Sequence, residues 1–126
     1  MLQVQVTAVD TNNKVLANIV TARNSADKLQ ENPNIRADGG YIGLSLWGDN
    51  GNVPTVHLIK VGTPATPAVA PVWSYTTPGS QFAVDVVVAS TGAGGDVVYI
   101  ASGGKAVPAN QFGNGGTANS WQITVN

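Results

Sequence analysis

Apolar and polar residues alternate along much of this chain with a period of two. That is the pattern of a strand with one buried and one wet face. It begins almost at the first residue. Leu2, Val4, Val6 and Ala8 point one way, and Gln3, Gln5 and Thr7 point the other. Asp10-Thr11-Asn12-Asn13 then supplies turn chemistry, because Asx side chains bond nearby backbone and tolerate positive φ. Residues 15–21 resume an extended pattern, so the two runs predict a hairpin. Residues 41–47 alternate again, with Ile42, Leu44 and Leu46 on one face and Tyr41, Ser45 and Trp47 on the other. Asn50-Gly51 separates this run from residues 53–61. It is the strongest short hairpin signal in the chain, since a type I′ turn needs positive φ at both centres. Pro54 places the second run at a strand start or a sheet edge.

Further strands are predicted over residues 72–77, 81–90, 97–101 and 120–125, with Gly-, Asn- and Pro-rich turns between them. Phe82, Val84, Val86 and Val88 face inward, as do Trp121, Ile123 and Val125. Val86-Val87-Val88 presents apolar groups to both faces, as a strand covered on two sides would. Residues 24–32 are the one helical candidate. Asn24 or Ser25 could cap it, Asp27 suits its positive end, and Pro33 stops it.

Residues 62–71 hold three prolines and read as a semi-extended crossover between two packed sheets. Charge density drops at that point, but halves of roughly 60 residues are marginal for separate cores. The expectation is therefore one domain over 1–126. Its class is an all-β, antiparallel β-sandwich, Greek-key or jelly-roll-like, with seven to nine short strands and at most one short helix near residues 24–32. No 20–50-residue repeat suggests a solenoid or propeller.

Composition narrows the function classes. Net charge is -1, and charged residues are 10% of the chain, well under the usual ~25%. Ten of the thirteen charges lie in the first 60 positions, leaving Asp85, Asp96 and Lys105 for the rest. Dispersed Lys and Arg argue against nucleic acid, which takes clustered cations. No apolar run approaches the ~20 residues of a spanning helix. The start has no basic n-region or long apolar h-region, so no secretory signal is read. The expected compartment is the cytoplasm, or the exterior by a route without a cleaved N-terminal signal. The absence of cysteine fits either.

Reactive side chains are scarce. His57 is the only histidine and has no acid or nucleophile near it in sequence, so it reads as a structural or surface residue. Asp85 and Asp96 flank a turn and could approach each other, but solvation explains both more simply. No catalytic residue and no cofactor are expected. One histidine and no cysteine cannot build a structural zinc site. Calcium is the one ion whose oxygen chemistry is on offer, at Asp10-Thr11-Asn12-Asn13 and Asp49-Asn50-Gly51-Asn52, and both segments are equally ordinary turns.

Aromatics beside amides are the pattern with chemical content. Trp47 runs straight into Gly48-Asp49-Asn50-Gly51-Asn52, and Tyr41 shares its face. Trp73 and Tyr75 share a face on another strand. A sugar needs a flat apolar surface for its C–H face and Asp or Asn for its hydroxyls. The candidate ligand-binding set is Tyr41, Trp47, Asp49, Asn50 and Asn52. Aromatic pairs on strands also serve as plain cross-strand packing. With its Gly/Asn loops the chain resembles small soluble bacterial lectins in general character, without a motif that transfers sites.

Two functions stand side by side. The first is a non-enzymatic binding module, lectin-like in engaging carbohydrate. The second is a structural, assembly or surface-antigen protein acting through protein–protein contacts, including a homo-oligomer, motivated by the weakly charged second half.

Overall fold

The Asx turn that the sequence predicts forms as its chemistry requires. The Asp10 carboxylate accepts the Asn12 and Lys14 amides at 2.8 and 2.9 Å, and Asn13 takes the left-handed conformation at φ 59°. The turn joins β1 (Gln3–Val9) to β2 (Val15–Ala22) in an antiparallel hairpin. The computed structural model describes residues 3–22, 33–46, 54–77, 83–103 and 119–126. Among these are nine strands and no helix; the helical candidate at 24–32 lies outside the described residues.

A second sheet follows in sequential order: β3 (Asn34–Asp38), β4 (Tyr41–Ser45), β5 (Val56–Lys60) and β6 (Trp73–Tyr75). β3 is a strand that the alternation alone does not reveal. Its signal is Gly39-Gly40, which link Asp38 to Tyr41 with φ of 53° and 82°, the positive pair of a two-residue hairpin turn. The third sheet is β7 (Ala83–Ser90), β8 (Asp96–Gly103) and β9 (Asn119–Val125). The all-β antiparallel sandwich expected from the pattern is present. Among the described strands the connectivity is simpler than a Greek key or jelly roll: each hydrogen-bonded strand neighbour is also a neighbour in sequence.

Burial explains the arrangement. All five residues of β4 are buried, and so are the first four of β5. Tyr41, Val56 and Leu58 join Val84, Val86, Val98, Ile100 and Val125 in one core. Ile42, Leu44, Leu46 and Ile59 join Val6, Ala17 and Ile19 in another. The four-stranded sheet thus lies between the β1–β2 hairpin and the β7–β8–β9 sheet. Alternation on β4 and β5 sorts two apolar sets to opposite faces rather than apolar from polar.

Two expectations need correction. Residues 62–71 do not cross between sheets, because β5 and β6 pair directly. The segment instead detours to β2, where the Leu16 carbonyl accepts the Gly62 and Ala68 amides and the Ala68 carbonyl accepts the Asn18 amide. It therefore covers the hairpin's open edge. β7 is likewise not covered on both faces: Val84 and Val86 are buried, whereas Val87 is 51% exposed.

Edges β3 and β7 meet. A register irregularity between Val88 and Ser90 bends β7, and the Val88 amide donates to the Asp38 carboxylate at 2.8 Å. Gly43 lets the layers close. A Cβ there would sit 3.0 Å from Val84 Cγ2 and 3.5 Å from Ile100 Cδ1. Gly43→Val is expected to destabilise the fold by roughly 1–3 kcal/mol through overpacking. Gly92, where a Cβ meets nothing, accepts Ala at little cost. Urea denaturation midpoints of the two variants check this.

Candidate functional site

Three aromatic rings from two sheets meet at one edge of the sandwich. Period two on the short strand β6 puts Trp73 and Tyr75 on the same face, with ring centroids 6.0 Å apart and planes 17° from parallel. Trp121 arrives from β9, the edge of the neighbouring sheet, 5.1 Å from each of the other two rings and tilted against both. Trp73 and Trp121 lean on the core that holds Leu58 and Val98. Tyr75 is 45% exposed, and Trp73 and Trp121 are only partly buried. The trio bridges the two sheets, with Tyr75 its most exposed ring. Sequence alternation pairs Trp73 with Tyr75. It cannot supply Trp121, which is brought in by tertiary packing.

A second cluster is polar. The Tyr41 hydroxyl donates to Asp96 Oδ2 at 2.6 Å, and Lys60 Nζ stands 3.5 Å from the same oxygen. Lys60 also lies 5.8 Å from the centroid of the Tyr41 ring. Burial, reinforced by the hydrogen bond and charge of Asp96, pushes the Tyr41 phenol up to about 12. The hydrogen bond from Tyr41, aided by Lys60, holds the Asp96 carboxyl below its ordinary range despite partial burial. Asp96 is therefore a tie between two sheets, not the solvating charge expected. Nor does it approach Asp85. Asp96 opposes Val125 and Asp85 opposes Ala101, so they stand roughly 17 Å apart along β8 at ~3.4 Å per residue.

Of the sequence-derived set, Tyr41 is buried with its hydroxyl engaged. Trp47, Asp49, Asn50 and Asn52 lie outside the described residues. In the first calcium candidate, one oxygen of the Asp10 carboxylate is committed to the turn's own amides. Among the described residues no three His, Cys, Asp or Glu side chains converge as metal ligands, and no helix is long and apolar enough to cross a membrane.

His57 completes the inventory. It is 6% exposed, and its Nδ1 lies 2.7 Å from Ser74 Oγ on β6. Nε2 is buried without a hydrogen-bond partner. Burial pushes the imidazole down to about 4, with the nearby Pro54 carbonyl pulling weakly the other way. The Ser74–His57 spacing matches a nucleophile and its base. Its chemistry does not: a base this weak is mismatched to neutral pH, and among the described residues no carboxylate bonds Nε2. Asp38 and Asp96 bond toward the other face of the central sheet, at Val88 and Tyr41.

Comparison with protein-family models, with curated proteins and with solved structures finds no match for this chain.

The neutral imidazole has a thermodynamic consequence. The released side chain in an unfolded chain takes up a proton near its ordinary 6.5, while the folded protein resists until about 4. His57 therefore contributes no penalty above about pH 6.5. Stability is then lost progressively as pH falls toward 4, by on the order of 3 kcal/mol. The loss tied to Asp96 falls lower, below the ordinary carboxylate range. Denaturation of the wild type and His57→Gln across pH 4–7.5 should show the His57 slope flattened in the variant.

Proposed function

We propose that this protein is a non-enzymatic binding module that engages carbohydrate through the Trp73–Tyr75–Trp121 surface. The observation that carries the reading is the aromatic trio held by two separate sheets, with Tyr75 45% exposed and both tryptophans partly buried. Rings fixed by backbone lose little freedom when a flat ligand face settles on them. Asn119 shares the face of Trp121 on β9 and sets a neutral amide on the side of the rings. An uncharged polar ligand fits this better than an ion. Tyr41 is spent on the core, so the aromatic role that the sequence offered it passes to Tyr75.

A glycan array followed by titration tests the reading. Tyr75→Ala should weaken the best glycan at least about tenfold, or 1.4 kcal/mol. Its cost to folding should be only about 1 kcal/mol, since the ring is half exposed. An empty array, or unchanged affinity in the variant, would refute it.

A second reading, self-assembly, is favoured by the outer face of β7–β8–β9. Val87 and Tyr99 oppose each other there, 51% and 46% exposed, and Asp85 is the one described carboxylate projecting beside them. If this face assembles, light scattering should show concentration-dependent association that Val87→Lys abolishes. A wild type that stays monomeric at high concentration excludes the assembly.

A further inference from the structure

We propose that His57 makes β6 an acid-releasable strand: protonating its imidazole detaches β6 from β5 and takes apart the aromatic surface that β6 carries. The consequence for ligand binding rests on the carbohydrate reading above; the release itself rests on the geometry of β5 and β6.

β6 is the weakest element of the central sheet. It has three residues and pairs only with β5 among the described strands. Its attachment is a three-pair ladder with β5 and a few flanking contacts. The Val72 amide donates to Leu58 and the Thr55 amide donates to Tyr75. Just past the strand, Thr77 N donates to Thr55 Oγ1 at 3.1 Å, and the two hydroxyls lie 2.7 Å apart. His57 opposite Ser74 is the middle contact, flanked by the two residues that present Trp73 and Tyr75. A strand tied by so few bonds is the kind of unit that opens locally, below the free energy of global unfolding.

Protonation acts on this contact directly. Both ring nitrogens of a histidinium are donors. Nδ1–H can use Ser74 Oγ, but Nε2–H would be buried with no acceptor among the described residues. Among the described residues only the Pro54 carbonyl favours the charged ring, and burial outweighs it. On that side of the sheet, β5 offers Thr55 and Ile59, β4 offers Leu44, β6 offers Ser74, and the hairpin core offers Val6, Ala17, Ile19 and Thr21. None of these is charged or titratable. Lys60, Asp96 and Tyr41 join one another on the opposite face. The imidazolium reaches water most directly when Ser74, itself exposed, moves away.

The scale follows from linkage. A group that moves from about 4 when attached to its ordinary 6.5 when released raises the opening constant ~30-fold between pH 7.5 and pH 5. Amide hydrogen exchange on the unliganded protein reads this strand by strand, so it does not depend on any glycan. Corrected for intrinsic rates, protection at Thr55 and Val72 should fall ~30-fold over that range and depend little on urea. Leu46, whose amide ties β4 to β5, should stay better protected at both pH values. In His57→Gln the pH effect should shrink below about threefold. If that variant does not fold, Ser74→Ala serves: protection at Thr55 and Val72 should drop at both pH values with the ~30-fold ratio kept. The proposal is overturned if their protection is independent of pH, if they open only together with Leu46, or if the pH effect survives in His57→Gln or disappears in Ser74→Ala. Failure of the glycan array leaves this result untouched, and the converse also holds.

Discussion

The structure depends on the burial of β4 and β5 on both faces. A strand pair covered on one side only would close a two-layer sandwich. Here the same short segment must satisfy two cores. Ile42, Leu44, Leu46 and Ile59 meet the β1–β2 hairpin, while Tyr41, Val56 and Leu58 meet β7–β8–β9. Three features follow from that constraint. Gly43 must lack a side chain so that β7 can approach. Most polar groups carried inward find partners there, as Thr55 does in Thr77 and Tyr41 does in Asp96, whereas Ser45 Oγ and His57 Nε2 do not. The lone charge-capable ring on the hairpin side, His57, must stay neutral.

Much of the architecture is legible in the alternation. The first hairpin, the inward set Val84, Val86 and Val88, and the shared face of Trp121, Ile123 and Val125 all come from period two and turn chemistry. What misleads is a pattern with more than one physical cause. Val86-Val87-Val88 resembles a doubly covered strand, yet Val87 is exposed. The doubly covered strands are β4 and β5, whose second faces carry Tyr41, Gly43 and Ser45 or His57, residues that do not announce burial. The prolines of 62–71 signal an extended detour but not its destination on β2. Asp96 looks like a solvating charge because its partner, Tyr41, is 55 residues away in sequence. Long-range ties of this kind leave no local trace.

The same logic places the candidate surface. Alternation groups Trp73 with Tyr75, and packing adds Trp121 from another sheet. The scarcity of charge in the second half, at first a negative fact about chemistry, fits a surface built of aromatic rings. It also fits the outer face where Val87 opposes Tyr99. The two readings draw on different faces of the molecule and do not compete for the same residues. His57 bears on the proposed surface more closely than its solitary position in the sequence suggests, because it bonds the strand that carries two of the three rings.

The central claim is that these three rings form the ligand surface. The most direct measurement is an oligosaccharide titration of ¹⁵N-labelled protein, following the indole N–H signals of Trp73 and Trp121 and the ring signals of Tyr75. The account predicts saturable shifts that are largest at these three residues, with the buried Tyr41 ring unmoved. Saturable shifts centred elsewhere, with Trp73, Tyr75 and Trp121 unaffected, would contradict it.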